Sequence, residues 1–315
     1  MFISPHQSFI AKPQVGQPAK ATEKPTPRPT TTETVELAAA FPDREGYDEN
    51  FLGLKLPLPH LAPVQRSQVA SLLSDPSKSE LEYTHFSVVM NKMRRLPFLT
   101  AVNIDGSQMK SVRRNDRWVT DDRISREHQL GNEAYKSNDL DRGHMVRRLD
   151  PVWGADAAQA NADTFVYTNS ALQHKDLNRR EWVALEDHIL KYAKMSDDKL
   201  TVMTGPVFRD DDPIFDNDGR VNPPTQIPQQ FWKIAVWNNP TKGLQGAAFV
   251  LSQSELIDAK DYRDGEFEPG RFDVYQVPIK QLETMTQMKF SNLATIAEST
   301  DHGKRLEDAT QVILN

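Results

Sequence analysis

The stretch TFVYTNSALQHKDLNRREWVALEDHILKYAKM, residues 164–195, decides the architecture. Its first part sets Phe165, Val166 and Tyr167 among threonines, a composition that suits a pleated strand. Its second part repeats Trp182, Leu185, Ile189 and Tyr192 at helical spacing, so a helix is predicted over NRREWVALEDHILKYAKM. Upstream stands the tetrad Asp141-Arg142-Gly143-His144. Working outward, HFSVVMNKMRRLPFLTAVNID (85–105) reads as two short strands around a basic turn. KLTVMTGPVF (199–208) and QQFWKIAVW (229–237) read as strands, and FDVYQVPIKQLETMTQM (272–288) as a strand leading into a helix. Strands and helices mix without regular βαβ alternation. The expected class is α+β, a largely antiparallel sheet flanked by helices.

The chain of 315 residues divides by composition. Residues 1–45 include AKATEKPTPRPTTTETVE, where Pro25, Pro27 and Pro29 stand among threonines and charges with no apolar period. Such a segment buries too little surface to offset its ordering entropy, so a flexible arm is expected. Residues 46–80 read as an extended strap, with FLGLKLPLP broken by prolines and RSQVASLLSD as a short helix. Residues 81–315 form the expected globular domain. There are no cysteines, which removes disulfides and thiolate metal sites. No apolar run reaches membrane length, and the start MFISPHQSFIAKPQ has neither a basic nor a continuous apolar region, so a cytoplasmic location without membrane contact is expected. The formal net charge of −6 disfavours a protein that coats nucleic acid by bulk electrostatics. An enzyme with local arginines in an acidic body remains compatible.

The chemistry concentrates in the tetrad and in Asn178, Trp182 and Glu186. Hydrolysis of a phosphodiester needs an activated water, neutralised phosphoryl oxygens and help for the leaving alkoxide. An imidazole titrating near neutrality makes His144 the natural general base. An asparagine amide oxygen is a hard, neutral ligand suited to a magnesium ion that keeps most of its waters. Each residue also has an ordinary reading: Asn178 as a helix N-cap, Glu186 as an exposed helix carboxylate, Arg113 and Arg114 as a solvated basic turn. His6, His60, His85, His128 and His302 read as surface or satisfied core residues. His174 and His188 do not form zinc spacing with Asn178 and Glu186. Trp182 reads as a core anchor, and Arg147 and Arg148 as either a phosphate-facing rim or surface charge.

DRGH at 141–144, TNSALQ at 168–173 and NRREWVALE at 178–186 together resemble the DNA/RNA non-specific endonucleases, the ββα-metal family that includes mitochondrial endonuclease G. Weaker echoes in TAVNIDG, VMTGPVF, IPQQFWKI and QVPIKQLETMT extend the resemblance over about residues 81–310. It implies a β-hairpin carrying His144 and a helix opening at Asn178. It further implies Mg2+ on Asn178, with Mn2+ as substitute, and Asp141, Glu186 and Asn169 in the surrounding shell. Arg142 would meet phosphate or brace the hairpin, and Gly143 would let the backbone turn. An arginine on phosphate precedes the histidine in the family, and SVRRNDRWVTDD supplies Arg113 or Arg114, with Trp118 as the aromatic and Asp121-Asp122 as the acidic pair. Spacing slightly favours Arg113. Leu172 departs from the proline common in relatives. The implied activity is sequence-indifferent cleavage of DNA and RNA leaving 5′-phosphate ends, often by a homodimer. A regulatory or inhibitor protein acting through the arm is an expectation from the danger such an enzyme poses to its own cell. A catalytically silent binding module and a small-molecule phosphodiesterase are the alternatives.

Overall fold

The computed structural model describes residues 41, 44–179, 181–196, 198–254, 273–290 and 293. Most of the predicted arm lies outside the described residues. Its end does not. Phe41 packs edge-on against Tyr83 at 5.1 Å, and Arg44 pairs with buried Asp163 at 2.9 Å. The packed chain thus starts before the 45/46 boundary drawn from composition, because an aromatic and a charge there each find a buried partner.

The core of the fold is one antiparallel seven-stranded sheet in the order β1-β2-β3-β6-β9-β10-β11. Its strands are β1 (Glu80–Tyr83), β2 (Phe86–Asn91), β3 (Leu96–Asp105), β6 (Lys199–Val207), β9 (Gln230–Asn239), β10 (Gly243–Ser252) and β11 (Asp273–Val277). Two small ribbons stand apart: β4 (Leu140–His144) with β5 (Ser170–His174), and β7 (Ile214–Phe215) with β8 (Thr225–Gln226). The helices are α1 (Pro63–Arg66), α2 (Ala157–Asp163), α3 (Lys175–Arg179), α4 (Glu181–Ser196) and α5 (Ile279–Thr286).

The sheet is covered on both faces, so its strands are apolar at successive positions and not only at alternate ones. Strand alternation divides them between two cores. Val88, Val102, Val202, Phe231, Ala235 and Phe249 face the side that carries α4 and the β4–β5 ribbon. Phe98, Ala101, Met203, Trp232, Ile234 and Val250 face the other, closed by Tyr47, Leu52 and Leu56 of the strap and by Ile279 and Leu282 of α5.

Three local expectations are corrected. RSQVASLLSD is not a helix, since α1 ends at Arg66 and the segment lies along β2, where the Ala70 N–H donates to Met90 O at 3.0 Å and Lys92 N–H to Gln68 O at 2.8 Å. TFVYTNSAL is strand only from Ser170, after a 3-10 turn over Tyr167–Asn169. The helix expected over residues 178–195 is helical over Lys175–Arg179, holding Asn178, and over Glu181–Ser196, holding Glu186, so it starts three residues earlier than the sequence suggests.

Candidate active site

The DRGH tetrad occupies β4, which pairs antiparallel with β5 in the register Asp141↔Gln173, Gly143↔Ala171 and His144↔Ser170. This is not a tight hairpin, because α2 and its flanking loops lie between the strands. Gly143 is not the turning point expected of it. It continues the strand, and a Cβ there would lie 2.0 Å from Gln173 Oε1, so a larger residue would require the Gln173 side chain to move.

Alternation turns Arg142 and His144 to one face of the ribbon and Asp141 to the other. His144 is half-buried, with ring centroids 4.8 Å from Trp118 and 5.3 Å from Phe165, and its buried Nε2 has no hydrogen-bond partner. Burial, and then the positive charges of Arg114 and Arg148, push its pKa down to about 3, against a smaller opposing pull from Asp116. The ring is therefore neutral at ordinary pH, the state a base requires. Arg114 lies 5.5 Å over Phe165 and pairs with Asp116. Arg113 is exposed, and its backbone carbonyl accepts from Asn161 at 3.4 Å. The structure thus sets Arg114, not the slightly favoured Arg113, beside the histidine. Arg148 joins it, held by Asn161 Oδ1 at 2.8 Å.

Arg142 lies among three aromatic faces, 5.3 Å from Tyr135, 5.7 Å from Tyr167 and 5.8 Å from Trp118. The rings position the guanidinium, while Asn132 Oδ1 accepts from one terminal nitrogen. The acidic pair divides. Asp121 is buried, accepting from the Tyr83 hydroxyl and from Arg123, whereas Asp122 is exposed.

On the opposite face, Asp141 gathers α3. Arg179 grips it with two hydrogen bonds of 2.8 Å, and Asn178 Nδ2 donates to its Oδ2 at 3.0 Å. A carboxylate only accepts, so this bond fixes which end of the Asn178 amide faces it. The amide oxygen is left for another partner. Buried Gln173, opposite Asp141, has neither end of its amide hydrogen-bonded. No group of three His, Cys, Asp or Glu able to hold an ion occurs among the described residues. The available set is an oriented amide oxygen with a second buried amide nearby, which fits a hard, hydrated divalent cation and not zinc.

Two expected members of the metal shell have protein partners of their own. Asn169 is fully buried and spends its amide on backbone, accepting from Val146 N–H at 2.8 Å and donating to Val146 O and Thr164 O. It clamps the chain just past His144. Glu186 makes its described contacts away from Asn178. It lies beneath α4 against Lys233 Nζ at 3.3 Å and Arg147 Nε at 3.7 Å. Arg147 is accordingly neither rim nor free surface charge. Burial pushes the Glu186 pKa up, opposed by Lys233 and Arg147. Trp182 is buried as a core anchor, against Phe231 at 5.8 Å. Gln173 and Lys233 went unassigned in the sequence, and Arg148 was read only as a phosphate-facing rim or surface charge. Gln173 closes the TNSALQ motif, and Lys233 is a lone charge in an apolar run, so both carried a legible signal.

The family model for DNA/RNA non-specific endonuclease matches residues 68–295. The chain belongs to the DNA/RNA non-specific endonuclease family. An uncharacterized protein of Sinorhizobium fredii is 34% identical over 308 residues, covering 92% of this chain and 45% of its own length. A nuclease of Nostoc is 28% identical, covering 52% of this chain and 57% of that protein. Human mitochondrial endonuclease G is 24% identical, covering 56% of this chain and 57% of that protein. The chain thus spans about half the length of the curated relatives it matches. Among solved structures, that of the EndoG/EndoGI complex aligns with a TM-score of 0.53 at 19% identity, covering 72% of this chain and 91% of that one. The endonuclease family's fold is therefore shared, an α+β domain built on a large antiparallel sheet.

Proposed function

We propose that this chain hydrolyses the phosphodiester backbone of DNA and RNA with little regard to sequence, with His144 as general base and a divalent cation, Mg2+ or Mn2+, held by Asn178. The observation that carries the reading is the Asp141–Asn178 hydrogen bond, which ties α3 to the strand that presents His144 and leaves the Asn178 amide oxygen available to a cation.

In this mechanism His144 takes a proton from water, and the resulting hydroxide attacks phosphorus. The bond to the 3′ oxygen breaks, that oxygen takes a proton from solvent, and 5′-phosphate and 3′-hydroxyl ends result. Arg114, Arg148 and Arg142 neutralise the phosphoryl oxygens. Asn178 would hold the cation, which would supply positive charge to offset the negative charge developing in the transition state. The phosphate's own negative charge offsets Arg114 and Arg148, which raises the proton affinity of His144 once substrate is in place.

Plasmid nicking with Mg2+, with and without EDTA, tests the reading. Cleavage that EDTA abolishes supports it. A silent binding module would retard plasmid without cutting it, and a small-molecule phosphodiesterase would hydrolyse bis(p-nitrophenyl) phosphate but leave plasmid intact. A homodimer and a protein inhibitor accompany this proposal. The latter is supported by the inhibitor complex of the structural relative.

A further inference from the structure

Strand β9 contains Phe231-Trp232-Lys233-Ile234-Ala235-Val236-Trp237, buried throughout, and Lys233 is the single charge in that run. Its exposure is 1%. Alternation sends it, with Phe231 and Ala235, to the face covered by α4. There its Nζ donates to Glu186 Oε1 at 3.3 Å and to Thr204 Oγ1 at 3.1 Å, and lies 4.7 Å from the Trp182 ring centre. The other Glu186 oxygen faces Arg147, which also pairs with Asp187. Arg147 stands three residues past His144. Charged contacts thus run from the middle of the sheet, through α4, to the segment leaving the DRGH strand.

Such a cluster is a poor device for stability alone. Taking both charges out of water costs what their attraction returns, and apolar residues of similar volume would hold α4 on the sheet as well or better. What an ion pair adds is direction: it fixes one rotamer and one ionisation state of the carboxylate. We propose that Lys233 is a positioning residue for the nuclease site, holding Glu186 by Oε1 so that Oε2 is presented toward the Arg147 side as a fixed negative charge for the hydrated cation. This rests on the metal-nuclease reading. It gives Glu186 its role in the shell through Lys233, without direct contact to Asn178.

The test is a double-mutant cycle on the full chain with Glu186→Gln, Lys233→Met and the pair together. The readouts are kcat and KM on plasmid at saturating Mg2+, Mn2+ affinity by electron paramagnetic resonance, and thermal melting. Lys233→Met is expected to lower kcat by about 10- to 100-fold with little change in KM, and to weaken Mn2+ binding about tenfold. In the Glu186→Gln background the same change is expected to cost no further kcat or Mn2+ affinity. Losses that multiply overturn the inference, as does a Lys233→Met protein that melts lower but keeps its kcat and Mn2+ affinity. If Lys233→Met alone does not fold, the double variant, with neither charge left, is compared with Glu186→Gln. Equal kcat supports the inference and a further tenfold fall overturns it. A wild-type chain that cuts nothing defeats the nuclease reading itself. A wild type that cuts while the losses multiply defeats only the role of Lys233.

Discussion

As the proposed general base, His144 meets two demands that pull apart. A base must be unprotonated, which burial and two nearby arginines ensure, yet it must also want a proton, which the same surroundings oppose. Substrate reconciles them by bringing negative charge. The acid limb of kcat/KM, which reports the free enzyme, should therefore lie well below the usual histidine range. The acid limb of kcat should lie higher, and coincident limbs near pH 6.5 would contradict this account. Stability follows the same sign. The folded ring stays neutral down to about pH 3, while the unfolded ring gains a proton near pH 6.5. The contribution is thus present above about pH 6.5 and lost progressively as pH falls toward the folded value. His144→Ala should lower kcat by about 10² to 10⁴-fold and flatten that part of the stability profile in acid melting curves. Gly143→Ala should be nearly as damaging to activity for a different reason, since its methyl would displace Gln173 at a cost of about 1–3 kcal/mol. A melting curve unchanged by that substitution would show that the close approach is not constraining.

At the scale of elements, the site depends on how α3 is held to β4. Asp141 accepts from both Asn178 and Arg179, so Asp141→Ala should free the Asn178 amide to rotate and weaken cation binding about tenfold or more. Mn2+ affinity equal to wild type would show that Asp141 does not orient the amide. Much of this was legible beforehand. The tetrad, the following strand and the amphipathic helix stand in the sequence with their periods intact, and β2, β3, β6 and β9 are apolar runs bounded by polar breaks. What was hidden has physical causes. Strand β10, GLQGAAFVLS, escapes notice because glycine and alanine dilute the β-branched signal. The partners of Glu186 come from β9 and from beyond His144, and no local pattern reports contacts across that separation.

The molecule as a whole is acidic, with basic groups concentrated near the tetrad, so binding should rely on a few phosphate contacts. Cleavage should fall steeply between about 50 and 200 mM salt and vary little among random sequences; a single sharp cut site would count against it. Truncation offers a second measurement. Removing residues 1–35 keeps Phe41 and Arg44, and should leave melting unchanged. Removing residues 1–45 also strips the buried Arg44–Asp163 pair and should cost about 3–5 kcal/mol. Equal melting of the two truncations would show that Arg44 does not anchor the chain.

One contact bears on when the proposed activity could first arise during synthesis. Gln253, buried just past β10, donates to Leu172 O at 3.0 Å and to Pro228 O, and accepts from His174 N–H at 2.8 Å. The strand paired with DRGH is thereby tied to a residue some eighty positions later in the chain. During synthesis the ribosome has released His144 and Asn178 long before Gln253, and at about 5–20 residues per second the gap lasts several seconds. Over that interval the catalytic ribbon has no finished sheet to rest on. If the proposed activity holds, a nascent chain emerging beside its own messenger RNA is expected to cut only after nearly the whole sheet has been made.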